Sequence, residues 1–210
     1  MKQRSEQWFT ERSGNITASR FGDVIADPST KRYQIYLNQV VSELTGAPPM
    51  DDDFKPWFKH GAELEPIARD RYEFECILKG DHEPVQEVGL IYHQDYDYIS
   101  CSPDGIKPNK GVEIKSSISH SSYAKTAAMV AKNNLPAQYR PQVQGCLWIT
   151  GLEAWDFVAF FRDPDGEMED EISILTVEPD LKYHKMLDEK CRLFWEQVEG
   201  KTLELEWVNE

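Results

Sequence analysis

The sequence predicts an α/β fold in which a central mixed sheet of about five strands is flanked by helices, and two observations predict it. Apolar residues recur at helical spacing through the first third of the chain, switch to short strand-like runs in the middle, and then alternate between the two. There is also no internal repeat, low-complexity tract or linker. The 210 residues suffice for one domain with a full core and are rather short for two, so residues 1–210 are taken as a single unit.

Residues 5–12 form a short amphipathic segment ending near Gly14. Thr17 and Ser19 are candidate caps for a helix carrying Phe21, Val24 and Ile25. From Tyr33 to Leu44 the residues Ile35, Leu37, Val40, Val41 and Leu44 keep one helical face, which Thr45-Gly46 closes. A second helical pattern runs from near Gly61 to Leu78 and stops at Gly80; Pro66 within it marks either a restart or a kink. Strands are predicted over residues 85–92, 98–102 and 111–115, with Pro103-Asp104-Gly105 as a turn between the last two. Helices follow over 122–132 and 137–149, then strands over 154–161 and 172–177 joined by Asp163-Pro164-Asp165-Gly166, and a closing helix over about 180–198.

Apolar residues make up 40% and charged residues 29%, an ordinary globular balance. No run approaches the roughly 20 apolar residues of a membrane span, and the N-terminus lacks the apolar stretch of a signal peptide. Cys76, Cys101, Cys146 and Cys191 are widely spaced among apolar neighbours, which reads as buried reduced thiols and fits a cytosol. The five histidines lack zinc-ligand spacing. The net charge of -14 argues against a nucleic-acid binder if read alone, yet only the surface touching DNA must be basic, and a nuclease needs acidic metal ligands.

The informative stretch is Ser102-Pro103-Asp104-Gly105, eight residues on to Val112, then Glu113-Ile114-Lys115. Alternate residues of a strand share a face, so Glu113 and Lys115 project together. An isolated Glu-x-Lys is ordinarily a solvated pair of little consequence. Here a short hairpin returns Glu113 beside Asp104, and two carboxylates converge with a lysine. Magnesium takes one or two carboxylates plus waters and substrate phosphate. A lysine beside it can hold and help deprotonate a water.

Pro103-Asp104…Glu113-Ile114-Lys115 resembles the PD-(D/E)XK nuclease signature, whose restriction-endonuclease-like fold fits the predicted architecture. Further segments occur in the order found in the lambda exonuclease-like, YqaJ-type viral recombinase family. They are Trp8-Phe9-x-x-Arg12-x-Gly14-x-Ile16-Thr17-Ala18-Ser19, Gly61-x-x-x-Glu65-Pro66-x-Ala68-Arg69, and Gln142-Val143-Gln144-Gly145-Cys146-Leu147-Trp148. The resemblance covers roughly residues 5–160; no motif is recognised in 161–210.

The resemblance implies metal ligation by Asp104, Glu113 and the Ile114 carbonyl, with Glu65 approaching a second ion directly or through water. It implies that Lys115 activates the water, that Gln142 orients the water or the lysine, and that Arg12, Ser19 and Ser102 hold the substrate 5′-phosphate. Without it, Glu65, Gln142 and Arg12 would read as ordinary polar surface residues. Trp57-Phe58 aligns with an apolar wedge that separates strands, and equally suits a buried aromatic pair. Lys125 and Lys132 share a helix face that could line a DNA track, though a solvated face is the default.

What the family implies as a whole is a Mg2+-dependent 5′-to-3′ exonuclease on linear double-stranded DNA. Two ions per site are implied, with Mn2+ as a substitute. The enzyme releases 5′-mononucleotides and leaves a 3′ overhang for phage-type recombination. The implied assembly is a toroidal homotrimer, partnered by a single-strand annealing protein and encoded by a phage or prophage in the bacterial cytoplasm. The alternatives are a related endonuclease or repair nuclease, and an acidic interaction domain that keeps the fold without catalysis.

Overall fold

A computed structural model describes residues 2–49 and 56–209, with side chains described for 2–49 and 61–205. The chain runs α1 (Glu6–Arg12), β1 (Ile16–Thr17), a 3-10 turn (Ala18–Arg20), α2 (Phe21–Val24), α3 (Lys31–Leu44) and α4 (Pro56–Leu78). There follow β2 (Ile91–Tyr92), β3 (Ile99–Cys101), β4 (Gly105–Ile106), β5 (Lys110–Ser117), α5 (His120–Val130), α6 (Arg140–Thr150), β6 (Ala154–Phe161), β7 (Glu171–Val177) and α7 (Leu181–Asn209).

The main sheet has the order β4-β5-β6-β7, with β5 and β6 parallel and the outer pairs antiparallel. A parallel pair requires a crossover, and α5 and α6 supply it. Strand β6, Ala154-Trp-Asp-Phe-Val-Ala-Phe-Phe161, is buried on both faces, which explains its nearly continuous apolar composition. On one face Val112, Ile114, Val158 and Phe160 meet Ala68, Tyr72 and Cys76 of α4. On the other, Phe157, Ala159 and Phe161 join the larger core formed with Phe21, Leu37, Leu147 and Phe194.

The mixed α/β class holds, but the strands divide into two sheets. A small sheet, β1-β3-β2, stands beside the main one. Two-residue strands such as β1 and β4 are too short to show a period, which hides them from sequence reading. The predicted strand over 85–92 contracts to β2 plus a single bridge between Gln86 and Ile106, because the Val85 N–H is taken by the Glu73 carboxylate at 2.6 Å rather than by a strand. Thr17, the last residue of β1, holds the N-cap position of the 3-10 turn but makes no side-chain cap bond, and Ser19 lies within that turn; both hydroxyls take a bond from Arg12, and the N-cap of α2 is Arg20.

Helix α4 passes through Pro66 as one helix rather than restarting there. Helix α7 extends well past residue 198. The Trp57 and Phe58 side chains, the candidate wedge, lie outside the described residues.

Two glycines set close approaches. A Cβ on Gly105 would come within 2.1 Å of Val85, so glycine admits the close approach of the segment that carries Val85. A Cβ on Gly145 would sit 2.4 Å from Phe21, so only glycine lets α6 lie this close to the 3-10 turn and α2.

Candidate active site

Asp104 sits where β3 has ended and β4 begins. Its backbone N–H reaches the Val112 carbonyl at 3.1 Å, and its carboxylate Oδ2 accepts the Ile114 N–H at 2.6 Å. Strand β4 pairs only as far as Val112, so the carboxylate stands in for the strand partner that Ile114 would otherwise have. The N–H and C=O of one strand residue point to the same edge. The Ile114 carbonyl is therefore aimed at the same open side as its N–H.

Glu113 and Lys115 project from the opposite face to Val112 and Ile114, as alternation requires. Glu113 is only 1% exposed. Its Oε1 takes bonds from Lys115 at 2.5 Å and from Gln142, in the first turn of α6, at 2.7 Å. Its Oε2 is buried with no hydrogen-bond partner among the described residues. The Lys115 ammonium also lies 5.5 Å from the ring centre of Tyr139.

Glu65 comes from α4. Ala68, Tyr72 and Cys76 form the stripe that this helix buries on the sheet, and Glu65 continues the stripe toward Asp104. Both of its oxygens are engaged: Oε1 by Arg69 and Oε2 by Arg4, each at 2.8 Å. Arg69 is itself buried and donates to the Asp104 carbonyl at 3.2 and 3.0 Å and to Glu87. One guanidinium thereby ties the Glu65 helix to the Asp104 turn.

Arg12 donates to Ser19 at 2.8 Å and to Thr17 at 3.2 Å, and lies over the Trp8 ring at 4.7 Å. The Trp8 indole N–H donates to Ser102 at 3.1 Å. Arg12, Ser19 and Ser102 are thus linked through Trp8, although Ser102 lies 90 residues from Arg12 and 83 from Ser19 in the sequence.

All nine predicted residues with described side chains line one open cleft of about 350 Å3: Arg12, Ser19, Glu65, Ser102, Asp104, Glu113, Ile114, Lys115 and Gln142. Gln3, Arg4, Trp8 and Tyr139 line it as well. Lys125 and Lys132 are exposed and lie outside the lining. The four cysteines are buried and free, and Cys146 borders the cleft.

Burial pushes the Asp104 carboxyl well above its ordinary value of 3.8, and the nearby carboxylates of Glu113 and Glu65 push it further; Lys115 and the Ile114 N–H oppose them. Burial acts to lower the Lys115 ammonium, but Glu113 and Asp104 outweigh it and hold the group above 10.5. Lys115 is therefore a charged donor in this arrangement. The lining of the cleft holds three carboxylates (Asp104, Glu113, Glu65) and three cations (Lys115, Arg4, Arg12), so the negative charge of the chain is not concentrated there.

Among the described residues no three His, Cys, Asp or Glu side chains form a ready-made metal cage. The donors suited to a divalent cation are the two carboxylates of Asp104 and Glu113 and the Ile114 carbonyl. That is a hard-oxygen set of the kind magnesium accepts when waters and phosphate complete it, and the orphaned Oε2 of Glu113 fits it.

The sequence reading gave no role to Gln3, Arg4, Trp8 or Arg69. Arg69 was legible in principle, since it lies four residues from Glu65 on a helix, the spacing of an ion pair. Arg4, 61 residues from its partner, left no signal.

A family profile described as the YqaJ-like viral recombinase domain matches residues 7–153. The chain superimposes on the crystal structure of an alkaline exonuclease, LHK-Exo, from Laribacter hongkongensis with a TM-score of 0.80 and 28% identity over 98% of both chains. A structure of LHK-Exo in complex with dAMP gives a TM-score of 0.81. A phage-related exonuclease from Haemophilus somnus shares the fold at 13% identity, with a TM-score of 0.71 over 91% of this chain and 96% of its own. An uncharacterized protein of Acanthamoeba polyphaga mimivirus is 26% identical in an alignment of 181 residues that covers 80% of this chain but only 31% of that protein.

Proposed function

The chain belongs to the YqaJ-like viral recombinase domain family, and on that ground we propose that it is a Mg2+-dependent exonuclease acting on linear double-stranded DNA from the 5′ end. The product in this reading is a 5′-mononucleotide, and dAMP in the LHK-Exo complex is a molecule of that class. The observation that supports the reading most is the Glu113 carboxylate. One oxygen is held by Lys115 and Gln142, and the other is buried beside Asp104 without a hydrogen-bond partner among the described residues. Burying an ionised oxygen without compensation is costly, and a divalent cation is the partner that this donor set suits.

Asp104, Glu113 and the Ile114 carbonyl would hold the ion, with Glu65 near a second one. When bound there, a divalent cation would supply charge neutralisation at the phosphate and favour ionisation of water. Lys115 orients a water or a phosphate oxygen through its ammonium protons. Neutralising its two carboxylate partners would remove the main influences that hold it charged and leave burial acting to lower it. Gln142 fixes the Glu113 carboxylate from the side opposite the sheet. Arg12 and the Ser19 and Ser102 hydroxyls would hold the terminal phosphate, for which a forked guanidinium is well suited.

The same reading assigns the protein to phage-type recombination in a bacterial cytoplasm, as a ring of three subunits working with a single-strand annealing protein. A ring lets a basic inner surface coexist with the net charge of -14. No helix among the described residues is long and apolar enough to cross a membrane.

The test is digestion of linear duplex and of covalently closed circular duplex, with Mg2+ or with a chelator. Degradation of the linear form alone, and only with the metal, is expected. Loss of the closed circle at a comparable rate would favour an endonuclease, and no metal-dependent loss of either would overturn the proposal.

A further inference from the structure

Each Glu65 oxygen already holds a guanidinium, so a cation arriving at either would sit against a like charge. The less anchored of the two arginines gives way more readily. Arg69 is poorly placed to do so: its side chain is 11% exposed, and the same group also serves the Asp104 carbonyl and Glu87. Withdrawing it would also take a donor from the Asp104 carbonyl and from Glu87. Arg4 differs in each respect. Its side chain is 38% exposed, it belongs to the short segment ahead of α1, and Glu65 accepts its NH2 group at 2.8 Å. The segment is nevertheless anchored beside the centre, since the Gln3 amide donates to the carbonyls of Val88 and Pro103 at 2.9 and 2.6 Å. A guanidinium released there stays at the rim of the cleft that holds Asp104, Glu113 and Lys115.

We propose that Arg4 is an exchangeable cap on Glu65: it holds Oε2 in the free protein and passes to a DNA phosphate when a divalent cation takes that oxygen. The exchange rests on the proposed nuclease function and adds a residue to it. An arriving cation and Arg4 repel each other across one carboxylate oxygen, so they compete for it. A freed guanidinium next to an incoming phosphodiester finds a bidentate partner. Cation and substrate binding are thereby coupled through one side chain, and in the free protein the cap keeps the Glu65 carboxylate compensated.

The test is calorimetric titration of Mn2+ into the DNA-free protein, for wild type, Arg4→Ala and Arg4→Lys, with Glu65→Gln identifying the binding event that belongs to Glu65. In parallel, affinity for a 5′-phosphorylated duplex is measured in Mg2+ in a Lys115→Ala background. Arg4→Ala should tighten the Glu65-dependent event about two- to fivefold, the range of a partly exposed ion pair. It should weaken duplex binding roughly tenfold at fixed salt. Arg4→Lys should stay near wild type in the titration and fall between the two for DNA. These opposite shifts cannot come from general loss of structure. Cation affinity that is unchanged or weaker in Arg4→Ala, or duplex affinity that is unchanged, would overturn the exchange alone. Absence of divalent-cation binding in every protein would overturn the proposed function together with it.

Discussion

The Asp104 carboxylate accepts the Ile114 backbone N–H at 2.6 Å, replacing a strand partner at the point where the β4–β5 ladder ends. One residue thus closes the edge of a sheet and supplies a carboxylate to the cleft. The two tasks are separable. Asn keeps an acceptor oxygen for Ile114 but loses the charge. The folded carboxyl is raised above its ordinary value, so its ionised form is a cost to the native state at neutral pH. Asp104→Asn should therefore melt at or above the wild-type temperature while cleavage falls at least about a hundredfold. Thermal denaturation and nucleotide release, measured on the same preparation, check both halves.

Arg69 predicts the reverse balance. Its guanidinium bonds Glu65, Glu87 and the Asp104 carbonyl from a buried position. Arg69→Ala leaves acceptors unpaired and should destabilise by about 3–5 kcal/mol, as when one partner of a buried ion pair is removed. Arg69→Lys should recover little of this, since an ammonium cannot reproduce a fork that reaches three partners. Chemical denaturation measures the loss.

Arg12 should govern preference for the 5′ end. The wild type should degrade 5′-phosphorylated duplex faster than 5′-hydroxyl duplex by roughly ten- to a hundredfold, the worth of a charge-assisted contact. Arg12→Ala should lose most of that difference while keeping metal-dependent cleavage. Competition between the two ends at fixed salt is the measurement, because phosphate contacts weaken with ionic strength. Undiminished discrimination by Arg12→Ala would return the residue to its surface reading.

Much of this centre was legible from the sequence because its parts are local. Asp104, Glu113 and Lys115 lie within one hairpin, where alternation and a turn fix their relation. The tie between Arg69 and the Asp104 carbonyl spans 35 residues, and the Gln3 amide reaches 100 residues to Pro103; no periodicity encodes such contacts. The long elements α3, α6, β6 and β7 announced themselves by their apolar periods, whereas β1 and β4, two residues each, did not. The end of α7 was missed because apolar spacing weakens after Val198, although the helix runs on to Asn209.

Asp180 offers a pH test away from the cleft. Its Oδ1 accepts the Tyr183 N–H at the start of α7, at 3.0 Å, and its Oδ2 accepts from Arg140 at 2.7 Å. The Tyr183 N–H is the larger cause of a carboxyl held below 3.8; burial opposes it and Arg140 assists. A depressed folded value means stability that is present above the unfolded value and lost as pH falls through the folded one. Asp180→Ala should cost about 1 kcal/mol near neutrality, as for a lost helix cap. The gap from wild type should close as pH drops below 3.8. Denaturation curves for the two proteins across acid pH reveal the trend.

The most direct measurement of the central claim is release of label from linear duplex marked at the 5′ or the 3′ end, for wild type and Lys115→Ala, with Mg2+ and with chelator. The account predicts early release of the 5′ label as mononucleotide by wild type in Mg2+, none in chelator, and at least about a hundredfold less from folded Lys115→Ala. Early release of the 3′ label, or wild-type release by a folded Lys115→Ala protein, would contradict it.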